Sequence, residues 1–331
     1  MGKKVVIKFK ASEDVGLGHL YRSISLSEIL RSVGYQVVCA INDFTLAKRE
    51  LSAKSVRWLV NAFDSEEAFV DYLLAVEKPE VIVFDEKYEY RRSDLLRWKS
   101  RARLVSIDFV GADYHLFDRI LIPNAHFINV YPALRNVLWG FEYVIINESV
   151  RKKIPRDEPP TGVNNIVVTT GGSDPEGVFF WLLDVFKGIH KNATFLVGKA
   201  FKHRKDLCLA NVPRNVAVRP YSLDVLLEAD VVVSLFGVTV YELIYLRIPT
   251  IVVAHTKENA VSACVLKERC GCVETLGFFR DIGIEVAREG IRDFIKDKSK
   301  LAEIFNRERL LKIGDATKIA AAVVGGEERS T

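Results

Sequence analysis

Long apolar runs and cysteines are both scarce in this 331-residue sequence. No uninterrupted apolar stretch approaches the ~20 residues of a membrane span. We therefore expect neither a signal peptide nor a transmembrane helix. The five cysteines are an odd number and are scattered, and the closest two, Cys270 and Cys272, are separated by one residue. That spacing is too short for an ordinary disulfide or a C-x-x-C metal site. We expect reduced thiols and a cytoplasmic protein.

A strong net charge is also absent. Lys and Arg number 47 against 43 Asp and Glu, which gives a formal charge of +4, and no long basic block occurs. This balance argues against a nucleic-acid partner, whereas a slight positive excess suits a small anion. The length and a hydrophobic content of 49% indicate two globular domains. We expect a monomer.

Short apolar segments rich in β-branched residues alternate with helical segments along the chain, which predicts parallel, doubly wound sheets. The predicted strands are 4–9, 36–41, 55–60, 81–85, 103–108 and 119–122 in the first half, and 165–170, 193–197, 216–219, 230–235 and 249–254 in the second.

The fold class expected is α/β, with two Rossmann-like domains facing each other across a cleft. The domains are predicted at residues 1–148 and 164–323, with a polar, proline-rich linker at 149–163 and a frayed tail at 324–331. One helical segment, from Leu301 to about Val323, is predicted to close the chain, and it could pack back on the first domain.

The loop after the first strand is the first candidate site. Gly16 and Gly18 would let backbone N–H groups approach a ligand closely, and His19 follows at the start of a predicted helix. Ligands of open α/β sheets bind at this carboxyl edge, and histidine titrates in the range needed for proton transfer. His19 could instead be a solvated helix-start residue. Asp85 and Tyr88 follow the fourth predicted strand and could face the same site, although Asp85 could equally cap its loop.

The second half offers two further glycine turns. Gly171, Gly172, Ser173 and Asp174 open its first βα loop, where an ordinary loop is the alternative. The stretch Gly237–Glu242 follows a later strand. Free N–H groups of that helix start and the Thr239 hydroxyl suit phosphate oxygens, and Glu242 could accept the hydroxyls of a ribose. The alternative for Glu242 is a favourable interaction with the helix dipole.

Together these motifs resemble the GT-B nucleotide-sugar enzymes: G-x-G-H in the first loop, G-G-S-D opening the second domain, and G-x-T-x-x-E on a later helix. Within that superfamily, Gly16–Arg22 is similar to the UDP-sugar hydrolase family of pseudaminic acid biosynthesis and to the spore-coat polysaccharide proteins, a group regarded as glycosyltransferases. The similar segments occur in the same order over nearly the whole chain, and they include Trp139–Tyr143.

The resemblance implies a nucleotide-sugar hydrolase. His19 would be the catalytic base that activates water to attack C1 of a UDP-diacetamido-trideoxyhexose with inversion and release of UDP. Glu242 would belong to the uridine site. Helix N-termini can stabilise the diphosphate, so we expect no metal and no cofactor. The candidate substrate- and nucleotide-binding residues are Gly16, Gly18, Arg22, Asp85, Tyr88, Asn147, Gly171, Gly172, Ser173, Asp174, Gly237, Thr239, Glu242 and Asn259.

Four positions depart from the hydrolase pattern. Lys8 and Lys10 stand where the family usually has Arg and Asp, Asn147 replaces an Arg, and Asn259 replaces a Gln. Two alternatives therefore stay open. The protein could be an inverting GT-B glycosyltransferase, in which His19 activates an acceptor hydroxyl. It could also be a binding protein that kept the fold without catalysis, in which Lys8 and Lys10 hold an anion.

Overall fold

The computed structural model describes residues 3–123 and 134–325. The chain divides into two compact units. The N-terminal unit consists of the described residues of Met1–Glu148 and Lys312–Thr331, and the C-terminal unit is Ser149–Leu311. Within residues 3–123 and 134–325, no helix combines the length and the apolar character that crossing a membrane would require.

The described part of the N-terminal unit contains a parallel sheet of seven strands, ordered β3-β2-β1-β4-β5-β6-β7. The strands are β1 (Lys4–Phe9), β2 (Gln36–Ile41), β3 (Arg57–Val60), β4 (Val81–Asp85), β5 (Arg103–Ile107), β6 (Arg119–Ile122) and β7 (Val137–Trp139). β1 pairs with β2 on one side and with β4 on the other. Its Val5, Val6 and Ile7 are fully buried, as a central parallel strand covered on both faces requires.

Helices cover this sheet. They are α1 (Gly18–Ser32), α2 (Thr45–Ala53), α3 (Glu66–Val76), α4 (Arg92–Lys99) and α13 (Ala316–Val324), with short 3₁₀ turns at Tyr114–Leu116 and Phe141–Tyr143. Helix α3 shows how a capping residue and an apolar face define a helix in this unit. The Ser65 hydroxyl accepts the backbone N–H of Ala68 at 3.1 Å and so caps the helix. Phe69 and Leu73, one turn apart on α3, pack into the core under β4.

The C-terminal unit, described throughout, has a parallel sheet of six strands in the order β10-β9-β8-β11-β12-β13. The strands are β8 (Ile166–Thr169), β9 (Ala193–Val197), β10 (Val216–Pro220), β11 (Val231–Leu235), β12 (Thr250–Ala254) and β13 (Glu274–Phe278). The helices are α5 (Glu148–Arg151), α6 (Val178–Phe186), α7 (Arg204–Leu209), α8 (Leu223–Leu227), α9 (Val238–Leu246), α10 (Lys257–Val265), α11 (Ile284–Lys296) and α12 (Lys298–Leu310), with a π-helical turn at Leu266–Cys270.

The structure corrects the sequence-based expectation at two edge strands and at the closing helix. β7 and β13 were not predicted. The single helix predicted from Leu301 to Val323 is two helices, α12 and α13. The break falls at Gly314, whose backbone N–H donates to the Phe141 carbonyl at 3.0 Å. Asp315 then restarts the helix by accepting the N–H groups of Thr317 and Lys318.

The ends of the two units differ from the predicted domains. α13 belongs to the N-terminal unit and not to the second domain, and the Arg103 guanidinium donates to the Val323 carbonyl at 3.1 Å. Residues 149–163, predicted as a linker, belong to the C-terminal unit. There the Arg156 guanidinium donates to the Ala229 carbonyl at 2.6 Å. Of the predicted tail, residues 326–331 lie outside the described residues.

Candidate functional site

His19 stands at the carboxyl edge of the N-terminal sheet because α1 begins directly after the loop that follows β1. Gly16 has φ +88°, a left-handed conformation that favours glycine, and its N–H donates to the Ser12 carbonyl at 2.9 Å. The helix begins at Gly18, where a Cβ would meet no atom within 4 Å. His19 is therefore the second residue of α1, and about a fifth of its side chain is exposed.

The carboxylate of Asp85, the last residue of β4, contacts three side chains of α1. Its Oδ1 lies 2.8 Å from His19 Nδ1, and its Oδ2 accepts from Arg22 Nε and from the Ser23 hydroxyl at 3.1 Å each. A second Arg22 nitrogen donates to Oδ1. Since β1 and β4 are neighbours, the helix that follows β1 starts beside the end of β4. The fold thus brings together residues 66 positions apart.

The contact with Asp85 favours one tautomer of the His19 ring. A carboxylate only accepts hydrogen bonds, so Asp85 Oδ1 at 2.8 Å favours a proton on Nδ1 and leaves Nε2 as the acceptor when the ring is neutral. Arg22 also lies 3.2 Å from Nδ1, but its N–H groups have carboxylate partners. The arrangement is that of a base oriented by a buried carboxylate.

The charge of Asp85 is held by its surroundings. The carboxyl is fully buried, which by itself would raise its pKa, but the charge of Arg22 and the hydrogen bonds from His19 and Arg22 hold the pKa well below its usual range. Arg22 is itself 6% exposed and also donates to Asp108 at 3.2 Å. Asp85 and Arg22 are thus buried, bonded to each other and adjacent to the His19 ring, and their predicted contact with substrate stays a prediction.

A buried lysine network lies at the same sheet edge, and the sequence did not predict it. Lys8 of β1 is 1% exposed, and its ammonium contacts Glu86 at 2.6 and 2.8 Å and Glu66 at 2.6 Å. The Tyr90 hydroxyl also donates to Glu86. Because two carboxylates already surround its ammonium, Lys8 acts as a structural cation and does not fit the anion-holding role considered from the sequence.

Lys10 and Tyr88 lie at the exposed side of this network. Lys10 contacts Glu66 at 2.6 Å, with 40% of its side chain exposed. Burial alone would raise the pKa of Glu66, but hydrogen bonds from Lys10 and Lys8 lower it. The Tyr88 hydroxyl donates to Glu67 at 3.0 Å, so its hydroxyl is directed to α3 and not to the His19–Asp85 pair. Asn147, the remaining candidate of this unit, is half-buried and directly precedes α5.

In the C-terminal unit, the first glycine turn follows β8. Gly171 and Gly172 are half-buried, whereas Ser173 and Asp174 are buried. A Cβ at Gly198 would overlap the carbonyl oxygens of Gly171 and Gly172, so the loops after β8 and β9 pack closely. This close approach is a feature that sequence reasoning missed, although a glycine directly after a predicted strand was the available signal.

Asp174, a predicted nucleotide contact, lies in the same turn and bonds to the helix that follows. Its carboxylate accepts the backbone N–H groups of Val178 and Phe179 at 3.0 and 2.9 Å, at the start of α6. Burial raises the pKa of this carboxyl despite these two bonds. These bonds connect Asp174 to the start of α6, and its contact with a nucleotide stays a prediction.

The second glycine turn follows β11, the neighbour of β8 in the sheet. Gly237 precedes α9, and Thr239 lies in the first turn of that helix, where N–H groups lack intrahelical partners. Glu242 is about one turn further along. Gly237, Thr239 and Glu242 are all half-buried. The turn and its helix start therefore present hydrogen-bond donors at the same sheet edge as Gly172.

His255, which no sequence motif indicated, accompanies Asn259 after β12. The Asn259 amide lies 3.2 Å from a ring nitrogen of His255, and the Thr256 hydroxyl caps α10 by accepting the N–H of Asn259 at 3.1 Å. Burial lowers the pKa of His255, and the charge of Glu176 only partly opposes this. The loops after β8, β11 and β12, three neighbouring strands, thus carry the candidate residues of this unit.

Comparison with known proteins supports the fold at low sequence identity. No family model matches the chain, and no curated protein matches its sequence. Among solved structures, MurG of Acinetobacter baumannii is similar with a TM-score of 0.68 and 14% identity, covering 98% of this chain and 100% of that chain. The glycosyltransferase SnogD from Streptomyces nogalater has a TM-score of 0.63 and 16% identity, covering 98% and 99%.

A third similar structure is that of S. aureus MnaA with UDP, at a TM-score of 0.66 and 10% identity, covering 96% of this chain and 94% of that chain. Similarity at this level of identity concerns the fold. The chain has the GT-B fold, with two α/β Rossmann-like domains each built on a parallel sheet, as the sequence predicted.

Proposed function

We propose that this protein is a glycosyltransferase that moves the sugar of a nucleotide-sugar to an acceptor hydroxyl, with His19 as the general base. The observation that carries the proposal is the contact between His19 Nδ1 and the buried Asp85 carboxylate, 2.8 Å long. The fold supports it, because several similar structures are those of glycosyltransferases and the MnaA structure contains UDP.

The pair suits inversion at an activated sugar carbon. Asp85 keeps the proton on Nδ1, so Nε2 of the neutral ring can take the proton of an attacking hydroxyl. As that proton arrives, the buried negative charge of Asp85 stabilises the imidazolium that forms. A positioned base of this kind contributes about 10²–10⁴-fold to the rate. The leaving nucleoside diphosphate needs no protonation to depart, since its charge can be stabilised by N–H donors.

The C-terminal unit supplies such donors. We propose that UDP binds at the loops after β8 and β11, with its phosphates at Gly172, Ser173, Gly237 and the first turn of α9. The Thr239 hydroxyl would add a donor, and Glu242 would accept the ribose hydroxyls. Asn259 stands at the adjacent loop as a further polar contact. This arrangement stabilises the diphosphate without a metal ion.

Hydrolysis is the second candidate, and the sequence Gly16–Arg22 favours it because of its similarity to the pseudaminic acid pathway hydrolase. The same His19 would then activate water instead of an acceptor. None of the three similar structures described above is named a hydrolase, and for that reason we place transfer first. All five cysteines are free thiols, which supports a reducing, cytoplasmic location under either function.

The deciding experiment follows UDP and free sugar by NMR. The protein is incubated with UDP-diacetamido-trideoxyhexoses and with common UDP-hexoses, with and without an acceptor mixture of hydroxylated sugars and lipids. We expect UDP release that depends on the acceptor, and loss of that release in His19→Asn. His115→Asn is the matched control, because His115 is a histidine of the same unit with about half of its side chain exposed. Free reducing sugar formed without acceptor would favour hydrolysis. UDP-sugar binding without turnover under any condition would leave only a binding protein.

A further inference from the structure

The loop Gly198–Arg204, which follows β9, is bonded to the first glycine turn of the C-terminal unit. The backbone N–H of Ala200 donates to the Gly172 carbonyl, and that of Lys202 donates to the Ser173 carbonyl, at 3.0 Å each. Because β8 and β9 are neighbours, both loops lie at the carboxyl edge of the same sheet. The loop after β9 therefore stands directly beside the turn where we propose that the phosphates of UDP bind.

Side-chain contacts hold this loop in place. Phe201 is 3% exposed, and its ring packs against that of Phe179 in α6, with 5.2 Å between the ring centroids. One guanidinium nitrogen of Arg204 donates to the carbonyls of Gly198 and Lys199 at 3.2 and 3.1 Å. A loop that is fixed before a ligand arrives loses less conformational entropy when the ligand binds.

The same loop is strongly basic. Residues 198–205 contain four Lys and Arg residues and no acidic residue. Asp206, the next acid along the chain, lies 3.4 Å from the His203 ring. Lys199 and Lys202 are both exposed. An extended lysine side chain places its ammonium about 6 Å from its Cα, so both ammoniums can reach an anion bound at the glycine turn.

The glycine turn and the helix starts beside it cannot balance the charge of a diphosphate. At the start of α6, the N–H groups of Val178 and Phe179 already donate to Asp174 and so are not offered to a phosphate. The start of α9 remains, and a helix N-terminus is equivalent to only about half an elementary charge. A diphosphate carries more negative charge than this, and its charge increases when the bond to the sugar breaks. A cation beside the turn would supply the missing positive charge.

We propose that Lys199 and Lys202 bind the diphosphate of the nucleotide-sugar and of the departing UDP. This inference rests on the nucleotide site proposed above, and it adds the loop after β9 to the loops after β8 and β11. Because the charge on the diphosphate grows as UDP leaves, the two ammoniums stabilise the transition state more than the bound substrate. Arg204 contributes by holding the loop that carries them.

The test compares the binding of UDP and of uridine to the full chain. Isothermal titration calorimetry measures the UDP affinity, and ligand-observed NMR measures the weaker binding of uridine. The double variant Lys199→Gln/Lys202→Gln removes both charges and keeps polar side chains. We expect it to weaken UDP binding by about tenfold or more, the usual effect of losing a hydrogen bond to a charged group. Uridine binding should be unchanged, because uridine carries no phosphate.

Lys191→Gln is the matched control, because Lys191 is an exposed lysine that precedes β9 and lies at the opposite edge of the same sheet. It should leave UDP binding unchanged. The proposal would be overturned if Lys191→Gln weakened UDP binding as much as the double variant, or if the double variant lost uridine and UDP binding equally.

Two further results separate this inference from the proposed function. Wild-type protein that binds no UDP would overturn the nucleotide site and this inference with it. Wild-type protein that binds UDP, with a double variant that binds it equally well, would remove only the two lysines from the site. Circular dichroism of each variant checks that the fold is retained.

Discussion

Replacing Asp85 with asparagine tests the proposed base most directly. The amide keeps the size of the carboxyl but removes its charge and offers an N–H donor toward His19 Nδ1. The ring would then carry its proton on Nε2, and the nitrogen that must accept the substrate proton would be blocked. Asp85→Asn should therefore lower kcat by about 10²–10⁴-fold, the usual contribution of a positioned base.

The same change has a stability cost that follows from the structure. Arg22 is 6% exposed and bonds both Asp85 oxygens, so the variant leaves a buried guanidinium with less compensation. Breaking a buried ion pair typically costs about 3–5 kcal/mol. Arg22 keeps its contact with Asp108 at 3.2 Å, and we therefore expect the lower end, about 3 kcal/mol.

The assay has three parts: UDP release from the UDP-sugar that the wild type uses, UDP affinity by calorimetry, and urea unfolding. UDP affinity should be unchanged, because the proposed nucleotide loops belong to the other unit. Asp113→Asn is the matched control. Asp113 also lies near a histidine and an arginine, His115 at 3.9 Å and Arg92 at 2.6 Å, but at the surface. That control should change the unfolding free energy by less than about 1 kcal/mol and leave turnover intact.

The reasoning would be refuted by a folded Asp85→Asn protein whose kcat stays within about threefold of the wild type, a loss far below that of a missing base. It would also be refuted if Asp113→Asn lowered kcat equally, since the loss would then follow from removing any carboxylate charge and not from the position of Asp85. If Asp85→Asn lowered the unfolding free energy but not kcat, the role of Asp85 would be limited to its ion pair with Arg22.

Three further predictions follow from the remaining groups. Lys8→Met should destabilise the N-terminal unit by about 3–5 kcal/mol in urea unfolding, because it leaves the buried Glu86 carboxylate without its cation, whereas the more exposed Lys10→Met should cost less than about 1 kcal/mol. Asp85 and Glu66 have folded-state pKa values below their unfolded values of 3.8 and 4.5, so the stability they add is present above about pH 5. It is lost as the pH falls from about 5 toward the lower folded-state pKa values. Thermal melts between pH 7 and pH 3 should show this decline in melting temperature, and an unchanged melting temperature would contradict it. Glu242→Ala should weaken UDP binding by roughly tenfold or more in calorimetry, the worth of a charged hydrogen bond, and unchanged affinity would remove Glu242 from the ribose site.

Local sequence patterns predicted most of the fold. The β-branched run of β1 has the bounds expected, because strand periodicity is set by residues near each other in the chain. β7 and β13 escaped prediction because both are edge strands, where a continuous apolar run is not required. The position of His19 at a helix start was likewise readable from two glycines and a preceding strand.

The partners of His19 could only come from the tertiary structure. Asp85 looked equally like a loop cap, and nothing local distinguishes that role from its bond to a histidine 66 positions away. Lys8 appeared as a departure from a motif, yet its burial between Glu86 and Glu66 gives it a structural role. The amino-acid sequence alone determined the helices and strands, since the periodicity of their apolar residues is a local property of the chain. The crossover that makes β4 the neighbour of β1 decided the site, because it alone brings the ends of distant strands to one edge.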